Sequence, residues 1–168
     1  MFTRRVFRLL ALDHYKAANE HEPYRAFLAG EPADLSWRQP WMGLVRGVRE
    51  SRREMARVHV VTEPVSEYVR FSLLRGYPSN VAAGEDVRII GRGLADAKLL
   101  PNMDFWLFDD GLAAVLEYDS DGNVEQVVLD QESAHLADYR RWREIALMGS
   151  TPLAEYVAEH GITEERTT

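Results

Sequence analysis

Cysteine is absent from the 168 residues, which excludes disulfides, thiolate catalysis and the common structural zinc sites. No apolar run approaches the roughly 18 residues that a membrane-spanning helix requires. Histidine is sparse and scattered (His14, His21, His59, His135, His160), with no HExxH pair and no triad neighbourhood. GxSxG, P-loop and GxGxxG motifs are all missing. Only two lysines, Lys16 and Lys98, stand beside 18 arginines, a skew that a GC-rich genome would impose whatever the protein binds. The opening MFTRRVFRLLALDHYK carries two arginines before a short apolar stretch but no small-residue cleavage site, so no signal peptide is expected.

What is present suits a packed domain. A hydrophobic share of 46%, with four Trp, seven Tyr and six Phe, can fill a core. The length fits one domain, 1–168, expected in the cytoplasm. The charges segregate along it: residues 1–103 hold 16 basic and 12 acidic side chains (+4), and residues 104–168 hold 4 and 15 (−11), giving −7 in all. The densest basic stretch, RGVRESRREMAR (46–57), has five arginines. Trp41, Leu44, Val45, Val48 and Met55 recur at helical spacing and leave Arg46, Arg49 and Arg53 opposite, so the stretch reads as a solvated helix face. No direct tight binding to nucleic acid is expected.

Residues 1–56 read as a helical lead. Phe7, Leu10, Ala11 and Ala18 make an apolar stripe, a second short helix runs through Tyr24, Phe27 and Leu28, and a third starts near Trp41. A sheet core is expected over 57–130. RVHVV (57–61) and VRII (87–90) are β-branched strands, joined through the helical TEPVSEYVRFSLLRGY and a loop at PSNVAAGED, the spacing of a parallel crossover. DFWLF, LAAVLEY and NVEQVVLD then form a meander around the turns at 109–111 and 119–122. C-terminal helices are expected over 131–161, the first capped by Asp130 and the last beginning at Pro152, with a polar tail over 162–168. The fold class is therefore α/β: a mixed sheet with one βαβ unit, an antiparallel meander, a helical lead and C-terminal helices.

Ligands of open α/β sheets favour the loops beyond the carboxyl ends of parallel strands. That rule points to Glu63, Ser66, Asn80 and Arg92 as ligand-binding candidates, although helix capping and loop solvation explain the same residue types. Asp104 joins them as a possible acid or base, and Trp106 as a core or pocket-wall residue. Asp119, Asp121, Asn123 and Asp130 fall at positions 1, 3, 5 and 12 of a calcium loop, but glycine stands at position 4 rather than 6, so they read as turn formers. No metal, no cofactor and no catalytic set is expected.

VTEPVSEYVRF, AGEDVR and DFWLFDD, with the C-terminal YRRWREIA, resemble a domain-of-unknown-function family common in actinobacteria and often encoded beside helix-turn-helix regulators. The crossover followed by LPNMDFWLFDDGLAAVL is more loosely similar to half of a phospholipase D-like domain. That superfamily's hairpin carries a histidine and a lysine, whereas Asn102, Met103 and Asp104 stand here, so the similarity implies a non-catalytic relative. The resulting expectation is a binding or regulatory module acting through a protein partner such as a helix-turn-helix regulator. The alternative is a small enzyme handling an anion or phosphate in the strand-end crevice, which a pocket collecting Glu63, Arg92 and Asp104 would favour.

Overall fold

A computed structural model describes residues 2–164. Its centre is a seven-stranded mixed sheet. In chain order the elements are β1 (Arg5–Leu10), α1 (His21–Leu28), α2 (Gln39–Glu50), β2 (Glu54–Val61), α3 (Glu67–Phe71), α4 (Tyr77–Ala83), β3 (Asp86–Gly91), β4 (Asp104–Phe108), β5 (Leu112–Tyr118), β6 (Val124–Asp130), α5 (Ser133–Gly149), β7 (Thr151–Pro152) and α6 (Leu153–Glu159). The spatial order is β6-β5-β4-β1-β2-β3-β7. Strands β1, β2 and β3 run parallel, and the other pairs are antiparallel. The expected α/β class with its mixed sheet and β4–β5–β6 meander is observed.

The lead differs from its helical expectation. RVFRLL is the middle strand of the sheet, flanked by β2 and β4. A strand covered on both faces reads as a near-continuous apolar run, which periodicity cannot separate from a buried helix. With β1 in place there are two βαβ units rather than one, and β2 begins at Glu54, ahead of RVHVV. Within the second crossover, PSNVAA is helical rather than loop. Pro78 stands in the first turn of α4, where its missing N–H costs nothing. A π turn, Ser72–Gly76, joins α3 to α4. At the far end α5 starts at Ser133 rather than directly after Asp130, whose carboxylate accepts the Glu132 N–H at 3.0 Å instead. Residues 165–168 of the expected polar tail lie outside the described residues.

Side chains alternate across the pleat and divide the core in two. Phe7, Leu9, Val58, Val60, Phe105 and Leu107 pack beneath α5 against Leu136, Tyr139 and Ala146. The opposite face receives Val6, Met55, Trp106 and Phe108 against Val45 and Val48 of α2. Further along this second face the strands present charge rather than hydrocarbon: Arg8 from β1, Arg57 and His59 from β2, and Asp104 from β4.

Candidate functional site

Arg8 and Arg57 are direct neighbours in the β1–β2 register, and Arg8 stands opposite Trp106 across β4. Both guanidinium groups therefore project from mid-sheet into the space under the first crossover. Arg38, in the turn before α2, enters the same space from above. These three side chains line a cavity of about 270 Å³, whose mouth is bordered by Lys16 and Gly122. Gly122 has φ 85°, and a Cβ there would lie 3.1 Å from the His14 carbonyl oxygen, so glycine lets the β5–β6 turn close against the β1–α1 segment. The Lys16 N–H donates to Gly122 O at 2.9 Å and fixes that contact.

A buried network holds the arginines. Arg57 is 6% exposed and donates to Glu85, itself 3% exposed, through Nε at 2.5 Å and Nη2 at 3.3 Å. Burial opposes the Arg57 charge, but the Glu85 carboxylate and Tyr77 together more than offset it and the guanidinium is held above its ordinary value. Asn80 donates to the same carboxylate at 2.6 Å and accepts from Arg38 Nη2. Arg38 Nε donates to Ser79 Oγ at 2.7 Å. Arg38 is 7% exposed yet faces no carboxylate within 4.0 Å among the described residues. Burial, with Arg57 nearby, depresses its pKa. Arg8 lies over the Trp106 ring at 5.0 Å and 3.5 Å from the Asp104 carboxylate, and its Nε is buried without a hydrogen-bond partner among the described residues.

Asp104, 1% exposed, is saturated with donors: the Ala11 N–H at 2.7 Å, the Tyr15 hydroxyl at 2.8 Å and the Tyr118 hydroxyl at 3.1 Å. Burial raises the pKa of both tyrosines, and the neighbouring carboxylate raises it further. Tyr68, raised by burial and by Glu20, donates to the Glu20 carboxylate at 2.5 Å. His59 uses both ring nitrogens. Because Leu12 O can only accept, Nε2 carries the proton at 2.7 Å, and Nδ1 accepts from the Tyr77 hydroxyl at 2.8 Å. These hydroxyls remain protonated near neutrality and the imidazole is already committed, so the lining presents three arginines and one carboxylate, Glu20, which already accepts from Tyr68. Such a set can hold an anion through charge-assisted contacts.

Burial depresses His59 to about 4 from its ordinary value of 6.5. Its neutral form therefore contributes stability that is complete above about pH 6.5 and is lost as the pH falls through about 4. The contribution amounts to about 3 kcal/mol. His59→Asn, compared with wild type by denaturant titration at pH 7 and pH 4, is expected to lose less stability across that window. Equal losses would show that His59 is not held neutral.

The six sequence candidates separate into two groups. Asn80 and Asp104 bind the arginines, and Trp106 is half-buried beneath Arg8 and 6.2 Å from Trp41. Glu63, Ser66 and Arg92 occupy the strand ends instead and tie loops together. Glu63 accepts from the Tyr156 hydroxyl at 2.7 Å, and Ser66 caps α3 and donates to Asp13 O at 2.9 Å. Arg92 reaches Val60 O and Thr62 Oγ1 at 3.2 Å each. Glu63, Arg92 and Asp104 are not in the lining of the cavity that holds the three arginines.

Arg8, Arg38 and Arg57 were not among the candidates. Arg57, last in the basic stretch taken as a solvated face, is buried in the sheet. The available signal was one charge set at alternate spacing in an otherwise apolar strand: Arg57 and His59 in RVHVV, and Arg8 in RVFRLL. Tyr15, Lys16 and Glu20, which follow the carboxyl end of β1, the parallel strand that reads as helix, also line this cavity. Asp119 accepts from the N–H groups of Asp121 and Asn123, as a turn former does. No described helix is long and apolar enough to cross a membrane. A family model described as a domain of unknown function, DUF6879, matches residues 1–158. No curated protein matches the chain.

Proposed function

The chain belongs to the domain-of-unknown-function family DUF6879, and for this member we propose a non-catalytic binding module that holds a phosphate-like anion between Arg8, Arg38 and Arg57. The observation that carries this reading is Arg38: a guanidinium 7% exposed, lining a cavity and paired only with neutral oxygens. A buried cation with no carboxylate in direct contact is expensive, Glu20 and Glu85 acting on it only from a distance, and a bound anion would supply the contact. The fully engaged His59 and the protonated tyrosines argue for retention of the ligand rather than its conversion.

Occupancy would be read by a protein partner; the family resemblance suggests a helix-turn-helix regulator. The edge strand β6 supports such a role. Val127 and Leu129 are exposed on it, and its first residue, Val124, lines the cavity. An unpaired edge can accept a strand from another chain, and here it begins where an anion would sit.

Calorimetric titration with inorganic phosphate tests the anion site. Wild type is expected to bind, and Arg38→Met to bind at least about ten-fold more weakly, the loss of one charge-assisted contact. Equal binding by the two proteins, or no binding by wild type, would contradict the reading.

A further inference from the structure

We infer that the ligand is a nucleoside phosphate, with its phosphate at the three arginines and its base N–H edge on Glu20. This deepens the anion reading and rests on it.

Two adjoining spaces, or lobes, share Arg8, Glu20, Arg38 and Arg57 in their walls. One is the 270 Å³ space described above, and the other is a space of about 180 Å³ reaching Trp37 and Trp41. Together they fall in the range of small-molecule sites, at roughly 300–1,000 Å³, and inorganic phosphate would fill only the junction. Glu20 is the group that a simple anion does not explain. It is an acceptor-only carboxylate lining both lobes, and it would repel a phosphate lacking any donor of its own. Its Oε2 already accepts from Tyr68, which leaves Oε1 to take an N–H from a ligand. A ligand that satisfies both Glu20 and the arginines carries negative oxygens and N–H donors on separate groups.

The walls specify what lies between those ends. The hydroxyls of Tyr15, Tyr68 and Tyr118 are spent on Asp104 and Glu20, so these residues offer the cavity aromatic surface rather than donors. Trp37 and Trp41 border the second lobe, each with one ring face already under a guanidinium, Arg38 at 4.9 Å and Arg57 at 5.7 Å. A flat heteroaromatic ring suits such walls because every nucleobase has a π face to stack. A base with N–H groups on its edge, joined to a phosphate through a sugar, combines all three features.

The test is calorimetric titration of the intact protein with GMP, AMP, ribose 5-phosphate, phenyl phosphate and inorganic phosphate. At least one nucleotide is expected to bind at least about ten-fold more tightly than ribose 5-phosphate and phenyl phosphate. Glu20→Gln keeps a partner for Tyr68 while removing the charge, so it should move the two ends in opposite directions, weakening the nucleotide and strengthening inorganic phosphate. Saturation-transfer NMR on the wild type, which needs no variant, should show transfer to the base protons. Ribose 5-phosphate binding as tightly as both nucleotides, or no transfer to the base, would overturn the nucleotide assignment and leave the anion site standing. Failure of every phosphate, inorganic phosphate included, would overturn both.

Discussion

Arg57→Met is expected to cost the fold about 3–5 kcal/mol, the usual consequence of removing one partner from a buried ion pair. The substitution keeps most of the side-chain volume but leaves the Glu85 carboxylate, 3% exposed, with Asn80 as its remaining side-chain donor. For a domain of this size the loss corresponds to a fall in Tm of roughly 6–20 °C. The double variant Arg57→Met/Glu85→Leu should recover most of it, because the stranded charge is gone and apolar groups of similar size fill the space. Denaturant titrations of wild type, both single variants and the double variant form a cycle that isolates the coupling. A loss within about 0.5 kcal/mol for Arg57→Met, the range of ordinary surface substitutions, would show that the pair does not hold the sheet face together.

Phe105→Ala is expected to cost a similar amount, about 3–5 kcal/mol, for a different reason. Phe105 is fully buried under α5, with ring centroids 6.0 Å from Phe7, 4.9 Å from Tyr139 and 6.1 Å from Trp142. Truncation opens a cavity bounded by three aromatic rings that cannot all relax into it. The alternation in DFWLF predicts burial of both faces, and hence a comparable cost at Trp106. In the structure Trp106 is only half-buried on the side that faces Arg8, so Trp106→Ala should cost less than Phe105→Ala. Thermal denaturation of the two variants gives the ranking. The reverse order would mean that the two faces of β4 have been exchanged.

The meander and the second crossover were legible because they alternate or turn where their residues demand it. The hairpin DFWLF–DDG–LAAVLEY has β-branched and aromatic strands around a turn whose Asp109 and Asp110 adopt positive φ. The first strand was not legible, since RVFRLL is buried on both faces and its apolar spacing also fits a helix. A helical reading of β1 hides the arginine-lined cavity. With β1 taken as helix, the strand-end rule led only to the loops after β2 and β3, where Glu63, Ser66 and Arg92 serve as structural ties. Arg38 could not be found from spacing at all. Its burial depends on Ser79 and Asn80, 41 and 42 positions along the chain, and no local pattern records such a contact. Asn80 and Asp104 were reached for reasons of loop position and acidity, whereas their place in the structure is beneath the arginines.

The central claim, an anion seated among Arg8, Arg38 and Arg57, is tested most directly by a crystal soaked in tungstate, a heavy phosphate analogue whose anomalous signal marks its position. The strongest anomalous peak is expected inside the cavity, within hydrogen-bonding reach of the Arg38 guanidinium, and it should disappear from crystals of Arg38→Met. Peaks confined to exposed arginines such as Arg46 and Arg49, with none in the cavity, would contradict the account.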